Sequence, residues 1–207
     1  MGLNDRTDTV TEEVVKINLH RPNEISAQQQ NIPTMIGKAV AAVYCNTMYV
    51  TGIGWKAAEI WKYNQAFGWM KCASLVQARR RHSAAFVDEV LYICGGFVGS
   101  NESVLDSVDA YNAVTDKCAR VGKLVHCVQN SGNCVPFKGS LYIFGGSDYV
   151  GKAFNHVQVY NTKENTCSVL SRPMPRSYNF MRAALWETSV ILLGRETCFI
   201  FNFETET

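Results

Sequence analysis

A run of four apolar residues followed by two glycines occurs twice in this chain, and it restricts the fold more than any other feature. The two copies are LYICGG at residues 91–96 and LYIFGG at residues 141–146, 50 residues apart. Weaker copies flank them, MYVTG at residues 48–52 and VILLG at residues 190–194. A period of about 20 to 50 residues marks a repeat architecture in which similar units stack side by side. We therefore expect an array of one supersecondary unit.

A second marker follows each copy of the first and keeps nearly the same period. It is a short run of β-branched and aromatic residues that ends in asparagine, at residues 60–64, 108–112, 157–161 and 199–202. These asparagines are separated by 48, 49 and 41 residues, and Asn18 adds a copy 46 residues before Asn64. Two independent markers that share a period are much harder to obtain by chance than one.

Each repeat contains four short strand-like segments separated by Gly, Asn, Asp and Pro. In the clearest unit we expect strands at residues 83–87, 90–94, 107–111 and 117–121. Four strands in a unit of about 45 to 50 residues are typical of a propeller blade. The predicted fold is therefore all-β, a propeller of four-stranded blades with three full blades and two partial ones.

The predicted units have boundaries that follow from the markers. They lie near residues 14–35, 36–75, 76–124, 125–172 and 173–203, and residues 1–13 are expected to be disordered or loosely attached. Segment 26–31, SAQQQN, has little apolar character, so the sequence predicts at most a strand there. Both the first and the last unit are partial, so we expect an incomplete propeller with exposed strand edges, which are aggregation hazards.

The residue types at the two markers suit a blade. Paired glycines after an apolar strand allow positive φ and let a neighbouring blade approach without a Cβ in the way. The aromatic residue of the second marker is expected to pack between blades. The asparagine after it is expected to open a turn into the fourth strand.

At these residues the chain resembles the kelch repeat, in which a tyrosine-containing strand ends in Gly-Gly, the next ends in Tyr-Asp or Tyr-Asn, and a tryptophan follows. The resemblance covers residues 14–203, and segments 58–69 and 81–96 are similar to kelch-like proteins in particular. Trp69 stands six residues after Tyr63, but Cys118 and Cys167 replace the tryptophan in the next two units. The array is therefore a diverged one.

The resemblance also implies a larger protein. Propellers of kelch-like proteins usually close about six blades and follow BTB and BACK domains, which recruit a cullin ubiquitin ligase. Neither domain has room in 207 residues, and about one and a half blades are missing. We therefore expect a fragment, a truncated product or a degenerate member of the family.

In propellers of this family, partners bind a face made by the loops between the second and third strands and by the loops from one blade to the next. Carried onto this sequence, that face contains a set of candidate partner-binding residues: Arg79, Arg80, Arg81, His82, Trp55, Phe97, Asn101, Gln129, Asn130, Asp148, Tyr149, Arg176 and Tyr178. The arginine run suits an acidic peptide, because guanidinium groups bind carboxylates bidentately. A solvated turn with one structural arginine is the alternative, and the aromatic residues are either contacts for the partner or packing beneath their own loops.

Composition narrows the class of partner. A formal charge of +2 does not indicate a nucleic-acid binder, and no apolar run is long enough for a membrane span. Eight cysteines without a CxxC pair favour buried, reduced thiols, and the chain is interpreted as cytoplasmic. No cofactor or metal is expected.

The resemblance implies a protein-interaction module, with substrate recognition for a cullin-based ubiquitin ligase when a BTB domain is joined to it. A cytoskeletal scaffold associated with actin is the alternative, and an enzyme with a site in the central channel is a third hypothesis. Enzyme activity is not predicted, because the four histidines form no local catalytic signature with a nucleophile.

Overall fold

The computed structural model describes the backbone of residues 13–17 and 25–29 and all of residues 39–52, 58–99, 102–131, 134–194 and 197–205. All regular structure in these residues is β. The described segments contain no helix that could cross a membrane. The expectation for residues 1–13 falls almost wholly outside this part of the chain.

Five antiparallel sheets follow one another, and a short hairpin lies inside one of them. A two-stranded ladder joins β1 (Glu13–Ile17) and β2 (Ile25–Gln29). Blade 1 contains β3 (Val40–Tyr44), β4 (Thr47–Thr51), β5 (Glu59–Asn64) and β6 (Gly68–Ser74). Blade 2 contains β7 (Ser83–Val87), β8 (Val90–Cys94), the hairpin of β9 (Phe97–Val98) and β10 (Ser103–Val104), β11 (Ser107–Asn112) and β12 (Lys117–Lys123). Blade 3 contains β13 (Val135–Phe137), β14 (Ser140–Phe144), β15 (Val157–Asn161) and β16 (Thr166–Val169). Sheet 4 contains β17 (Arg182–Trp186), β18 (Ser189–Leu193) and β19 (Cys198–Asn202).

The predicted fold class is confirmed. Three sheets have four strands in sequential order, and a three-stranded sheet and a two-stranded ladder stand at the two ends. The strands expected at residues 83–87 and 90–94 are β7 and β8. The polar segment at residues 26–31 does form most of a strand, β2, whereas the β9–β10 hairpin was not anticipated.

The core lies between successive sheets rather than inside any one of them. In β8, Leu91 and Ile93 pack toward blade 1, while Tyr92 and Cys94 pack toward blade 3. Side chains alternate between the two faces of a strand, so a strand that is covered on both faces must be apolar at every position. This double burial is the reason that the repeat motif is an unbroken apolar run.

The glycine pairs are required where adjacent blades meet. Gly95 and Gly145 have φ of 64° and 59°, and a Cβ on either would lie 2.4 Å from a backbone oxygen of the following loop. The oxygens belong to Val128 and Tyr178, and those same oxygens accept hydrogen bonds from the next glycine of each pair. The predicted positive φ and close approach are therefore confirmed.

The asparagine of the second marker opens a turn, as predicted. The Asn112 side-chain oxygen accepts hydrogen bonds from the backbone of Val114 and Thr115 at 3.0 and 2.8 Å. Equivalent bonds form at Asn64, Asn161 and Asn202. Each asparagine thus satisfies the backbone that reverses after the third strand.

The two cysteines that replace tryptophan occupy its position in the ladder. Tyr63 lies opposite Trp69, with ring centroids 5.3 Å apart. Tyr111 lies opposite Cys118, and Tyr160 lies opposite Cys167. The loop before each cysteine is one residue longer than the loop before Trp69, so the spacing of seven residues preserves the register.

All eight cysteines are free, but the expectation that they are buried is only partly correct. Cys72, Cys94 and Cys134 are buried, and the hydrogen bond with Cys134, together with burial, raises the pKa of Cys94. The expectation is wrong for three exposed thiols, Cys45, Cys127 and Cys198. Cys45 lies in the turn between β3 and β4, Cys127 in the loop from blade 2 to blade 3, and Cys198 in the end strand of sheet 4.

Candidate functional site

Two classes of loop meet at one end of the sheets. Arg80, in the loop from blade 1 to blade 2, exchanges backbone hydrogen bonds with Phe97, in the loop between the second and third strands of blade 2, at N···O distances of 3.0 and 2.7 Å. Gln129 and Ser147 make the same pair of bonds for blade 3, at 3.0 and 2.8 Å. We call the surface formed by these loops the loop face; its described residues lie within 79–82, 95–106, 128–131, 145–156 and 176–181.

A series of backbone hydrogen bonds runs across the loop face from blade to blade. Arg81, Asn130 and Phe180 all have positive φ, 58°, 56° and 56°, at spacings of 49 and 50 residues. The Asn130 N–H donates to the Arg81 carbonyl at 2.9 Å, and the Phe180 N–H donates to the Asn130 carbonyl at 2.7 Å. Because this backbone conformation is unfavourable for a residue with a Cβ, the bonds hold the three loops in one arrangement.

Arg79, the first residue of the arginine run, lies inside the protein. Its guanidinium group donates to the carbonyls of Gly95 and Ser107, to the Ser107 hydroxyl and to the Asp109 carboxylate, the last at 2.8 Å. The side chains of Arg79 and Asp109 are both 0% exposed. Burial lowers the pKa of Arg79, while the charge of Asp109 opposes that shift. The expectation that Arg79 contacts a partner is therefore wrong, and the structural alternative holds for this arginine.

Arg80 and Arg81 instead lie beside an aromatic ring at the loop face. Each guanidinium carbon is 5.3 Å from the centre of the Phe97 ring, a distance typical of a cation–π contact. The two side chains are half-buried, and neither forms an ion pair with any described residue. Arg81 donates to the Gln129 side-chain oxygen at 3.0 Å, which fixes one edge of its guanidinium group.

The two aromatic candidates of this region stack on each other. Phe97 is buried, and its ring lies 6.4 Å from the Tyr149 ring with an interplanar angle of 13°. Tyr149 is 52% exposed and donates its hydroxyl to Glu102 at 2.7 Å, a bond that raises the pKa of Tyr149. Phe97 therefore packs beneath the loops, whereas Tyr149 presents an open ring surface. Since Glu102 and Tyr149 belong to different blades, their bond also joins two loops.

Three polar candidates belong to the hydrogen-bond framework of the loop face. Gln129 is buried and donates to the Asp148 carbonyl at 2.9 Å. The Asp148 carboxylate accepts a hydrogen bond from the Lys152 N–H at 2.8 Å. Asn130 is also buried, and its side chain donates to the Ser147 hydroxyl at 3.4 Å. Gln129 and Asn130 thus position the loops, and Asp148 remains only partly covered.

His82 lies at the contact between blades 1 and 2. Its side chain is buried, and its Nε2 atom lies 2.7 Å from the Thr51 hydroxyl. Burial, followed by the charge of Arg79, lowers the pKa of His82 to about 3. A neutral, buried imidazole cannot touch a partner, so the expectation for His82 is also wrong.

The remaining candidates have separate surroundings. Arg176 is exposed in the loop that leads to sheet 4. Tyr178 is half-buried, accepts a hydrogen bond from the Thr197 hydroxyl at 2.9 Å and packs against Phe199. Trp55 and Asn101 lie outside the described residues.

Sequence reasoning missed Asp109 and its partners, although a signal was present. Asp109 is the only charged residue in its apolar strand, and a buried carboxylate requires a cation or several donors. The Arg79 side chain supplies those donors, and Arg120 adds a second ion pair at 3.1 Å. A buried aspartate in β11 therefore indicates that one arginine of the run is its buried partner and does not contact a binding partner.

Within the described residues, no three histidine, cysteine or acidic side chains come close enough together to hold a metal ion. Two histidines of this region do meet, His126 and His156, with ring centroids 4.7 Å apart. The candidate site is thus an exposed patch of Arg80, Arg81 and Tyr149 on a framework of buried polar residues.

A family model described as Kelch motif matches residues 78–124 and 132–174. These segments include both complete Gly-Gly pairs and nearly all of blades 2 and 3. Residues 78–124 and 132–174 of the chain are therefore similar to kelch repeats. The predicted resemblance is confirmed.

Kelch-like proteins are among its curated relatives. The chain is 28% identical to Kelch-like protein 35 of Mus musculus over 160 residues, which are 77% of the chain and 27% of the relative. It is 26% identical to Kelch-like protein 25 of Xenopus tropicalis over 184 residues, 82% of the chain and 31% of the relative. The chain thus spans less than a third of the length of these proteins. Their similarity supports a kelch-type module for protein interaction.

A solved structure titled "Structure of YjhT" shares the fold. It matches with a TM-score of 0.71 and 17% sequence identity, over 82% of this chain and 63% of that one. At this identity the comparison bears on architecture alone. The match agrees with a propeller in which successive sheets pack face to face.

Proposed function

We propose that this kelch-repeat chain binds an acidic segment of a protein partner at the loop face. The observation that carries the proposal is the placement of the Arg80 and Arg81 guanidinium groups beside Phe97 without an ion pair among the described residues. Two positive charges that are half-buried and unneutralised attract carboxylates more strongly than fully solvated ones do. A partner with two acidic residues would supply a counter-charge to each arginine.

The surroundings of the two arginines favour a protein rather than a small anion. Tyr149 offers an exposed aromatic surface next to the buried Phe97 ring, and tyrosine and arginine are enriched among residues that dominate binding energy. The framework of Gln129 and Asp148 restricts the loops before a partner arrives. Such preorganisation reduces the entropy lost on binding.

The wider role that we infer is substrate recognition for a cullin-based ubiquitin ligase, in a protein that also carries a BTB domain. The kelch-like relatives support this role, and the eight free cysteines support a reducing compartment such as the cytoplasm. The proposed role is recognition without catalysis.

Selection from a random library of twelve-residue peptides on the purified chain tests the proposal. Peptides that survive selection on the wild type are labelled, and their affinities for the wild type and for an Arg80→Ala/Arg81→Ala variant are measured by fluorescence anisotropy. We expect the survivors to be rich in Asp and Glu, and to bind the double variant at least tenfold more weakly. Their affinity for the wild type is expected to fall as salt is raised, because the contact is ionic.

The matched control removes two charges elsewhere. Lys117→Ala/Lys163→Ala loses two exposed cations from the region of the turns before β12 and β16 and is expected to bind like the wild type. Survivors without acidic residues, or equal losses in the two double variants, would contradict the proposal.

A further inference from the structure

His126 and His156 form a pair of imidazoles near the junction of blades 2 and 3. Their ring centroids are 4.7 Å apart and their planes are tilted by 38°. His126 is exposed, and His156 is half-buried against the ring of Phe154 at 4.7 Å. The pair plays no part in the arginine patch described above.

The ring separation fits two ligands of one metal ion. A Zn–N bond of about 2.0–2.1 Å places an imidazole centroid about 3.2 Å from the ion. Two imidazoles that meet the ion at an angle of about 90° to 110° then have centroids about 4.5–5.2 Å apart. The observed 4.7 Å lies within this interval.

One nitrogen of the pair lacks a partner. The Nε2 atom of His156 is buried and forms no hydrogen bond with any described residue. A buried polar atom without a partner is unfavourable, and a bound ion would satisfy it.

The backbone beneath both histidines is fixed. Gln158 accepts a hydrogen bond from the His126 N–H at 2.8 Å and donates to the His126 carbonyl at 3.2 Å. The His156 carbonyl accepts from Gly145 at 3.1 Å. Blade 2 has Gln77 and Ser107 at the corresponding positions, so the pair is absent from that blade.

We propose that His126 and His156 bind one divalent cation of the zinc and copper class, with water in the remaining positions. Imidazole nitrogens prefer these borderline ions to magnesium or calcium. The ion would tie the loop between blades 2 and 3 to the strand-connecting loop of blade 3.

Isothermal titration with zinc chloride tests the site on the full chain after treatment with a chelator and buffer exchange. We expect one zinc ion per chain, with affinity reduced at least tenfold in His126→Ala and in His156→Ala. Zinc is also expected to raise the urea midpoint of the wild type but not of either variant. Because His126 is exposed, His126→Ala keeps the test valid even if His156→Ala does not fold.

Cys127→Ser and His20→Ala are the controls, since Cys127 is an exposed thiol beside His126 and His20 is a histidine elsewhere in the sequence. Both are expected to bind zinc like the wild type. Absence of zinc binding in the wild type, binding that persists in His126→Ala, or a loss confined to a control variant would overturn the proposal.

Discussion

Asp109 and Gln158 occupy the same position in successive blades, and they satisfy their buried polar groups in different ways. Asp109 lies opposite Ile93, and Gln158 lies opposite the corresponding Ile143. Both side chains belong to residues that are 0% exposed. Asp109 binds the Arg79 guanidinium, whereas Gln158 binds only backbone groups. Blade 2 thus uses a buried ion pair where blade 3 uses a neutral amide.

This difference predicts how the second blade responds to mutation. At the position of Arg79, blade 3 has Val128, so Arg79→Val and Asp109→Gln together transfer the pattern of blade 3. Arg79→Val alone leaves a buried carboxylate and is expected to cost about 3–5 kcal/mol of unfolding free energy. The double variant should lose clearly less than the two single variants combined, since no buried charge remains. Urea unfolding of all four proteins measures this, and strictly additive losses would contradict it.

A glycine comparison separates backbone strain from steric overlap. Gly145→Ala would place a Cβ 2.4 Å from the Tyr178 carbonyl oxygen, whereas Gly139→Ala meets nothing within 4 Å. Both positions have positive φ, 59° and 74°. We expect Gly139→Ala to cost about 1–2 kcal/mol from strain, and Gly145→Ala to cost about 1–3 kcal/mol more from overpacking. Similar urea midpoints for the two variants would show that sheet 4 does not press against blade 3 at this point.

Stability is expected to fall in mild acid because of His82. Its pKa is lowered to about 3 in the folded chain, while an unfolded histidine keeps its ordinary value near 6.5. Above pH 6.5 both states are neutral and the full stability is present. Below that pH only the unfolded state takes up the proton, so the free energy of unfolding falls by about 1.4 kcal/mol per pH unit until the pH approaches 3.

Urea unfolding at pH 7, 6 and 5 checks this dependence. His156 also has a lowered pKa and contributes in the same direction, so the chain as a whole should lose more than one histidine accounts for. His82→Gln should be less stable at pH 7 but should lose less stability between pH 7 and pH 5 than the wild type. If His82→Gln and the wild type lost the same stability between pH 7 and pH 5, the His82 side chain would be in contact with water in the folded chain.

Hydrogen bonds on the Asp116 carboxylate link blade 1 to blade 2. The Tyr111 hydroxyl donates to the Asp116 carboxylate at 2.9 Å, and the same oxygen accepts from the Ala73 N–H of β6 at 2.9 Å. We expect Tyr111→Phe to cost about 1 kcal/mol and Asp116→Ala about 2 kcal/mol, because the second change removes both bonds. Tyr160→Phe is the matched control, since its hydroxyl binds Asn165 in the same manner. If Tyr111→Phe and Asp116→Ala lost the same free energy of unfolding, the hydrogen bond from Asp116 to β6 would contribute nothing to stability, which would contradict this prediction.

Much of the fold could be predicted because its requirements are local. The run at residues 91–96 encodes a strand covered on both faces and a positive-φ reversal, and Asn112 encodes the next turn. Even Cys118, which follows its tyrosine by seven residues where Trp69 follows by six, keeps the tryptophan's position opposite that tyrosine in the ladder. These features depend on residues a few positions apart, which a single sequence displays directly.

The candidate site was less predictable because it depends on contacts between distant segments. Arg79, Arg80 and Arg81 are chemically identical, and only contacts with distant residues, such as Asp109 30 residues beyond Arg79, distinguish the buried one. Phe97 was one of several aromatic candidates until the position of Tyr149, in another blade, was known. The positive φ of Arg81 and Phe180 has no sequence signal, since neither residue type favours that conformation.

The hydrogen-bonded series of Arg81, Asn130 and Phe180 has a consequence for how this face evolves. Its bonds join backbone atoms only, so the series itself requires no particular side chain at any of the three positions. The residues there already differ completely in charge and size, although their backbones coincide. Selection can therefore exchange side chains at these positions while the underlying architecture is inherited unchanged. A propeller built in this way can acquire a new binding specificity by point substitution alone.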